Sequence, residues 1–288
     1  MIVGMRPPGF RLPESTHVGA VHLQVADLAR SLAWYRAVLG FPVLAEDEGS
    51  AVLGADRPLV HLHERRGARR VPRRGAYGLF HFAILLPNRP ALGAFVSHLA
   101  EQDVRVGSAD HLVSEALYLW DPDNLGIEVY ADRPRSTWQH RADELVMTTD
   151  PLDVPDLLRA AEGVRWQGMP NGTTLGHMHL HVGDLDTARA FYHQALGLDV
   201  TVWHYPGALF LSAGGYHHHL GTNTWSPGPA AAEDEARLLH WELVLPDEDS
   251  VLRAGQSLKA AGYSAERAPE GIATADPWGT VLQLRPRA

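Results

Sequence analysis

The sequence predicts an α+β fold built from four copies of one strand–helix–strand–strand–strand (βαβββ) module. An internal repeat is the first observation, because residues 19–40 match residues 176–197 without a gap. A second pair of similar segments covers residues 79–87 and 238–246, with His81 over His240. Each of the four segments is followed by a stretch with helical spacing of apolar residues, which gives the same order of elements four times.

The first repeated segment opens with alternating apolar and polar residues, the pattern of a strand with one buried face. The pattern changes to helical spacing at Asp27 and, in the second copy, at Asp184, and aspartate is a favourable N-cap residue. Each predicted helix ends at a glycine, Gly40 or Gly197, as is common at helix C-termini.

The second pair of segments leads into amphipathic helices predicted near residues 91–101 and 249–261. Further strands follow and close on the similar motifs DPDNLGIEV (121–129) and DPWGTVLQL (276–284). These limits place the four modules near residues 17–64, 78–132, 174–225 and 238–286.

The proline-rich segment 133–173 is predicted to link the two halves of the chain, with a short helix around residues 154–162. The halves themselves span residues 1–132 and 174–288. The arginine-rich segment 64–74 is predicted to be a solvated loop between modules.

Charge and composition limit the classes of function. The chain has 288 residues, 25 Lys+Arg against 34 Asp+Glu and a net charge of −9, which argues against a nucleic-acid or anionic-membrane partner. It has no cysteine, so disulfides, thiolate metal sites and thiol nucleophiles are excluded, whereas 17 histidines supply candidate metal ligands. Because no apolar stretch has the length of a membrane span or a signal peptide, we expect a soluble, cytoplasmic protein.

The Asp-Leu helix start, the aromatic-Tyr pair, the Leu-Gly helix end and the closing Asp-Pro motif together resemble the vicinal oxygen chelate superfamily over nearly the whole chain. Segments 81–87, 110–119 and 214–225 are similar to the catechol 2,3-dioxygenase-like branch of the glyoxalase/extradiol dioxygenase proteins. The resemblance implies two tandem vicinal oxygen chelate domains. It also implies paired βαβββ modules that form an open barrel around a divalent metal, often Fe(II), held by two His and one Glu.

The family's ligand positions can be placed on this sequence through the resemblance. The histidine position on the first strand of modules 1 to 4 falls on Ala20, His81, His177 and His240. The carboxylate position on the last strand falls on Glu128 in module 2 and on Gln283 in module 4. Neither half alone therefore supplies two histidines and a carboxylate at the family positions.

Our leading hypothesis is a site shared between modules 2 and 3, in which His81, Glu128 and His177 bind the metal. Module 1, with Ala20, would then pair with module 4 as the structural half.

A rival hypothesis keeps the site within the second half of the chain. It combines His177 and His240 with either Gln283 or Glu242, which lies on the same strand face as His240. A third alternative has no catalytic metal.

Four further residues are candidate catalytic groups, by the resemblance. Tyr118 matches a tyrosine that binds substrate oxygen in extradiol enzymes, and His111 lies near the position of another histidine beside the substrate. The run 217–219 matches the place of an acid–base histidine, and strand alternation would put His217 and His219 on one face, with His218 pointing away.

Other histidines and aromatic residues have ordinary structural explanations. We expect His179 and His181 to be cavity-wall or hydrogen-bonded core residues, and His61 and His63 to be relics or to lie at a rim. His22 is expected to be structural, with the alternative that a small register change lets it replace the ligand absent at Ala20. Trp34, Tyr35, Phe191 and Tyr192 have helical spacing and are predicted to pack in the core. Three tryptophans could line a pocket for a planar ligand: Trp120, Trp225 and Trp278.

The resemblance predicts a non-haem, Fe(II)-dependent extradiol dioxygenase that acts on a small catechol-like aromatic and O2. Mn, Ni, Co or Zn are alternative metals, and a homodimer is left open by the sequence. One alternative function is a metal-dependent, glyoxalase-like isomerase or lyase. Another is a non-enzymatic binding protein of the same fold for a small molecule such as an antibiotic.

Overall fold

The computed structural model describes residues 4–72 and 75–287. Module 1 contains β1 (His17–Val25), α1 (Leu28–Ala37), β2 (Val43–Asp47), β3 (Ser50–Gly54) and β4 (Pro58–Glu64). Module 2 contains β5 (Gly78–Leu85), α2 (Arg89–Glu101), β6 (Gly107–Asp110), β7 (Ser114–Trp120) and β8 (Gly126–Asp132). Both have the predicted βαβββ order.

The second half repeats this order after the linker. The linker contains a 3-10 turn (Arg135–Thr137), β9 (His140–Arg141), β10 (Glu144–Leu145) and α3 (Val154–Ala160). Module 3 contains β11 (Thr174–His181), α4 (Leu185–Arg189) with a π-helical continuation (Ala190–Ala195), β12 (Asp199–Val202), β13 (Ala208–Ser212) and β14 (Leu220–Asn223). Module 4 contains β15 (Arg237–Leu245), α5 (Glu248–Ala260), β16 (Glu266–Ala268), β17 (Gly271–Ala275) and β18 (Val281–Pro286).

The strands form two curved eight-stranded sheets, and each sheet takes one module from each half of the chain. One sheet has the order β16-β17-β18-β15-β1-β4-β3-β2 and joins modules 1 and 4. The other has the order β12-β13-β14-β11-β5-β8-β7-β6 and joins modules 2 and 3. The α+β prediction of four βαβββ modules is thus confirmed. The predicted boundaries of the two tandem domains, residues 1–132 and 174–288, stay a prediction.

The helix starts follow the predicted capping chemistry. Asp27 and Asp184 have extended backbones, and their side chains accept hydrogen bonds from the backbone N–H groups of Arg30 and Thr187. Each cap satisfies one of the free donors in the first helical turn, which fixes where the helix departs from the strand before it.

The predicted core aromatics also connect the two sheets. Tyr35 and Tyr192 are fully buried. Tyr35 Oη donates to Asp121 Oδ2 at 3.3 Å, and Tyr192 Oη donates to Asp276 Oδ2 at 2.9 Å. Each bond joins a helix of one sheet to the Asp-Pro turn of the other sheet, so modules that are successive in the chain remain in contact.

The arginine-rich loop is solvated where the structure describes it, and Arg73 and Arg74 lie outside the described residues. Arg66 pairs with Glu64 at 2.9 Å, and Arg69 pairs with Asp234 at 3.1 Å. Within residues 4–72 and 75–287, no helix combines the length and apolar character that a membrane span requires.

Candidate metal centre and substrate cavity

Three predicted ligands meet on one face of the sheet of modules 2 and 3. His81 Nε2 lies 3.0 Å from Glu128 Oε2, and His177 Nε2 lies 3.2 Å from the same oxygen. Ala83 explains the geometry, because it is in register with His177 on the antiparallel neighbour β11 and with Glu128 on the parallel neighbour β8. His81 is two residues away from Ala83 on the same strand, so its side chain points to the same face of the sheet.

The unmet hydrogen-bonding capacity of these side chains fits a bound cation. All three residues are buried, with at most 4% of their surface exposed. Both ring nitrogens of His81, His177 Nδ1 and Glu128 Oε1 have no hydrogen-bond partner among the described residues. The close approach of His81 Nε2 to Glu128 is therefore not aligned as a hydrogen bond. Since buried polar atoms without partners are costly, the donor set fits a metal ion.

The electrostatics favour the protonation states that bind a cation. Burial alone would raise the pKa of Glu128, but the adjacent His177 and His81 outweigh it and hold that pKa well below its ordinary range. Burial lowers the pKa of His177 to about 4, against the opposing effect of Glu128. At neutral pH, the carboxylate is charged and His177 offers a neutral imidazole, as metal binding requires.

A cavity of about 520 Å³ opens beside these ligands, and its walls are mostly aromatic and apolar. Its lining includes Phe80, Tyr205 and Phe210, with the partly exposed Trp120 and Trp225. Of the three tryptophans, Trp278 does not line this cavity and instead packs near Tyr77. Flat aromatic walls of this kind suit a planar aromatic ligand.

Tyr118 and His111 form a hydrogen-bonded pair on the cavity wall. Tyr118 Oη lies 2.6 Å from His111 Nε2, and His111 Nδ1 lies 2.6 Å from the carbonyl oxygen of Thr148. A carbonyl only accepts, so His111 donates from Nδ1, and in the neutral ring Nε2 accepts from Tyr118. Burial, with the nearby Glu128 charge, raises the pKa of Tyr118 well above its ordinary value, which keeps the phenol protonated.

The histidine run 217–219 differs from the expected alternation. Strand β14 begins only at Leu220, so the backbone of these residues is a bend and strand periodicity does not apply. His218 lines the cavity, with its ring centroid 4.0 Å from that of His177. His217 Nε2 instead lies 3.0 Å from Asp132 Oδ1, and His219 Nδ1 accepts from the backbone N–H of Ala213 at 3.1 Å. The expectation that His218 points away from the site was therefore wrong.

The neighbouring histidines have the expected structural surroundings. His179 is buried in the cavity wall, with its ring centroid 4.9 Å from that of His81. Its ring packs over Gly221, where an added Cβ would lie 3.0 Å from the imidazole. His181 Nδ1 lies 2.7 Å from Asn223 Oδ1, so its role there is to bond the adjacent strand.

The rival ligand set is divided between the two sheets. His240 and Glu242 lie in the sheet of modules 1 and 4, where they group with His22. Gln283 lines the cavity next to them, whereas His177 groups with His81 and Glu128. The structure therefore does not bring His177 together with His240, Glu242 or Gln283.

Two cavity residues come from the linker, which the sequence analysis did not connect to the site. Met147 and Thr149 line the cavity, and Thr149 Oγ1 lies 2.6 Å from the hydroxyl oxygen of Tyr205 in module 3. No spacing pattern in the linker indicates this position, because it depends on how the linker packs against module 3.

Comparison with known proteins agrees with this geometry. The family model described as "Glyoxalase/Bleomycin resistance protein/Dioxygenase superfamily" matches residues 16–129 and 174–283. The chain belongs to this superfamily. A member named catechol-2,3-dioxygenase, from Bacillus subtilis, is 46% identical over 92% of this chain and 95% of its own length. The chain is thus a homologue of a catechol-2,3-dioxygenase, and the resemblance inferred from the motifs is confirmed.

Solved structures show that the glyoxalase/dioxygenase fold is shared. A putative dioxygenase from Bacillus subtilis aligns with a TM-score of 0.65 at 13% identity, and the match covers 96% of this chain and 86% of the other. Glyoxalase I from Zea mays aligns with a TM-score of 0.57 at 18% identity, covering 94% and 92% of the two chains. At such low identities these likenesses support the fold of this superfamily member and not a particular reaction.

Proposed function

We propose that this protein is an extradiol dioxygenase, which opens the ring of a catechol-like aromatic compound with O2. The observation that carries the proposal is the buried group of His81, Glu128 and His177 beside a cavity with aromatic walls. The similarity to a protein named catechol-2,3-dioxygenase supports the same activity.

Two imidazoles and one carboxylate are the donor set of non-haem Fe(II) oxygenases, which favours Fe(II) over Mn, Ni, Co or Zn. His81, Glu128 and His177 would hold the ion. Fe(II), when bound, would supply open positions for the two catechol oxygens and O2 and a route for electrons between them. The remaining steps depend on side chains of this chain.

His218 is the residue best placed to accept the proton of a catechol hydroxyl. Asp132 Oδ1 lies 3.0 Å from His217 Nε2, and His217 Nδ1 lies 2.7 Å from His218 Nδ1. With both rings neutral, the carboxylate selects the tautomer in which His217 donates from Nε2 and accepts at Nδ1. His218 then carries its proton on Nδ1, which leaves Nε2 free to act as a base and later return the proton to the product.

Tyr118 orients the substrate. Its hydrogen atom is directed to His111, so the phenol oxygen can accept a hydrogen bond from the catechol. The aromatic walls meanwhile exclude water from around the bound ring, which strengthens these polar contacts.

The test is oxygen uptake by protein reconstituted without oxygen with one equivalent of Fe(II), on addition of a panel of catechols. We expect O2 consumption in a one-to-one ratio with substrate and the absorbance of a ring-opened product. Bound metal without uptake for any catechol would overturn the dioxygenase proposal in favour of an isomerase or lyase. A protein that binds no metal would instead support the small-molecule-binding alternative.

A further inference from the structure

A second group of potential ligands lies in the sheet of modules 1 and 4, away from the site described above. His22, His240 and Glu242 bring one nitrogen or oxygen atom each to within 4.8 Å of one another. They line a separate cavity of about 730 Å³. The proposed dioxygenase reaction uses none of these residues.

His22 and His240 have the same cross-strand arrangement as the cavity-wall residue His179 and the proposed ligand His81. His22 is in register with His240 across the antiparallel strands β1 and β15. His179 is in register with His81 across β11 and β5. His240 therefore occupies the position of the ligand His81, and a second imidazole faces it from the neighbouring strand.

The carboxylate of the second group, Glu242, lies one strand away from the position that corresponds to Glu128 in the first site. Gln283 occupies the position of Glu128, but Glu242 stands directly beside Gln283 in the parallel pair β15 and β18. In the other sheet, Ala83 has the position of Glu242, next to Glu128. The sheet of modules 1 and 4 thus also has two histidines and one carboxylate on one face, with His22 on β1 and both His240 and Glu242 on β15.

Small residues make space for the displaced carboxylate. Glu242 Oε2 accepts a hydrogen bond from the backbone N–H of Ala20 at 3.0 Å. A Cβ at Gly19 would lie 2.6 Å from this oxygen. Ala20, at the position of the absent family histidine, therefore leaves room for Glu242 to reach the same face.

The ring of His22 is held with one nitrogen available. It stacks between His61 and His240, with centroid separations of 4.1 and 3.8 Å. Its Nδ1 lies 3.2 Å from His63 Nε2. Its Nε2 is buried without a hydrogen-bond partner, 3.5 Å from Glu242 Oε1. This atom is directed towards the carboxylate, as a metal-ligating nitrogen would be.

The guanidinium of Arg285 pairs with the carboxylate of Glu242 and would compete with a metal ion for it. Arg285 Nη1 lies 2.5 Å from Glu242 Oε1, and Nη2 of the same side chain contacts the exposed Glu270. Arg285 can therefore keep an ion-pair partner when it leaves Glu242. Because that exchange has a cost, the second site binds more weakly than a site without a competing arginine.

We propose that His22, His240 and Glu242 form a second binding site for a divalent transition-metal ion. Imidazole and carboxylate donors suit Zn²⁺, Ni²⁺ or Co²⁺ rather than Mg²⁺ or Ca²⁺. This inference does not rest on the dioxygenase proposal, because its test measures the number of metal ions bound per protein and not catalytic activity.

The experiment is equilibrium dialysis of metal-stripped full-length protein against buffered free Zn²⁺, with bound zinc measured by mass spectrometry. We expect wild type to bind one equivalent more than His240→Ala and Glu242→Gln. Arg285→Gln should keep this additional equivalent and bind it about tenfold more tightly, since the competing cation is gone. Circular dichroism establishes that each variant is folded.

His204→Ala is the matched control, because His204 also pairs with a glutamate, Glu144, but is exposed at the surface. It should bind as much zinc as wild type. If His240→Ala and Glu242→Gln also bind as much as wild type, the second site does not exist. An Arg285→Gln variant with unchanged zinc affinity would equally overturn the proposed donor set.

Discussion

Tyr118 Oη and His111 Nε2 are 2.6 Å apart on the wall of the cavity, with His111 just before strand β7 and Tyr118 near the end of that strand. The other nitrogen of His111 is fixed by the carbonyl of Thr148 in the linker. The linker thus sets the tautomer of a histidine in the site, and through it the direction of the Tyr118 hydroxyl.

Replacing Tyr118 with phenylalanine tests this pair. We expect Tyr118→Phe to lower kcat by about a hundredfold, the usual effect of removing one well-placed hydrogen-bonding group from a catalytic site. Metal content should not change, because Tyr118 is not one of the ligands. Steady-state oxygen uptake and metal analysis measure both quantities, and an unchanged kcat would contradict the assigned role.

His218→Asn should lower kcat by about 10² to 10⁴, the range typical of losing a general acid–base group. His217→Asn removes the contact with Asp132 but leaves His218 in the cavity. A milder loss, accompanied by a changed pH profile of kcat, is therefore expected for His217→Asn. If His217→Asn were as inactive as His218→Asn and bound no metal, the assignment of His218 as the base would fail.

After reconstitution with Fe(II) and gel filtration, Glu128→Ala should retain less iron than the wild type and should lose oxygen uptake, because two histidines alone hold a cation weakly. Glu242→Ala is the matched control, since it removes the equivalent charge from the other sheet. It should keep oxygen uptake. The reverse outcome, with iron lost only from Glu242→Ala, would instead place the iron at the group of His22, His240 and Glu242.

The turn at Asp121 predicts a pH dependence of stability. Burial raises the pKa of Asp121 to about 7, although its side chain accepts hydrogen bonds from the backbone N–H groups of Leu125 and Asp123 and from Tyr35. Because the folded-state pKa lies above that of the unfolded chain, the folded state holds a proton that the unfolded state releases between about pH 4 and pH 7.

The free energy of unfolding of the wild type should therefore fall relative to that of Asp121→Asn as the pH rises through this interval. The expected slope is about 1.4 kcal/mol per pH unit, the value for one proton. Urea unfolding at a series of pH values measures the difference. Parallel curves for the two proteins would show that Asp121 is ionised throughout.

Gly176→Ala should destabilise the fold beside His177. A Cβ at this position would lie 1.7 Å from Tyr130 Oη, which is fixed by a 2.6 Å hydrogen bond to Tyr216 Oη. Overpacking of this kind costs about 1–3 kcal/mol. Thermal unfolding measures the loss, and Tyr130→Phe in the same background should recover part of it. No change in the midpoint would show that β11 can shift to accept the methyl group.

Local chemistry made much of the fold predictable. Asp27 and Asp184 act as N-caps because a side-chain oxygen beside the first free N–H groups is a local requirement, visible in the sequence. The expected grouping of His81, Glu128 and His177 came from the family resemblance, by asking at which of the family's ligand positions this sequence keeps a ligand-type residue. This reasoning also anticipated that modules 2 and 3 share a sheet.

Tertiary packing determined what the sequence could not predict. The orientation of His218 depends on where β14 begins, and the bend before Leu220 has no signature beyond two glycines, Gly214 and Gly215. Met147 reaches the cavity only because the linker folds back over module 3. Such positions depend on contacts between segments that are distant in the sequence, and the local spacing of apolar residues carries no information about these contacts.

The interleaving of the halves has a consequence for how the chain matures. Strand β1 pairs with β15, where His17 is in register with Val244, so the sheet of modules 1 and 4 is not complete until the C-terminal module has been synthesised. Until then, the nascent N-terminal half exposes unpaired strand edges. Such edges are prone to aggregation, from which chaperones protect nascent chains. Pairing over such sequence separations also predicts slow refolding. We therefore expect the two halves, expressed as separate fragments, to become stable only when they are produced together.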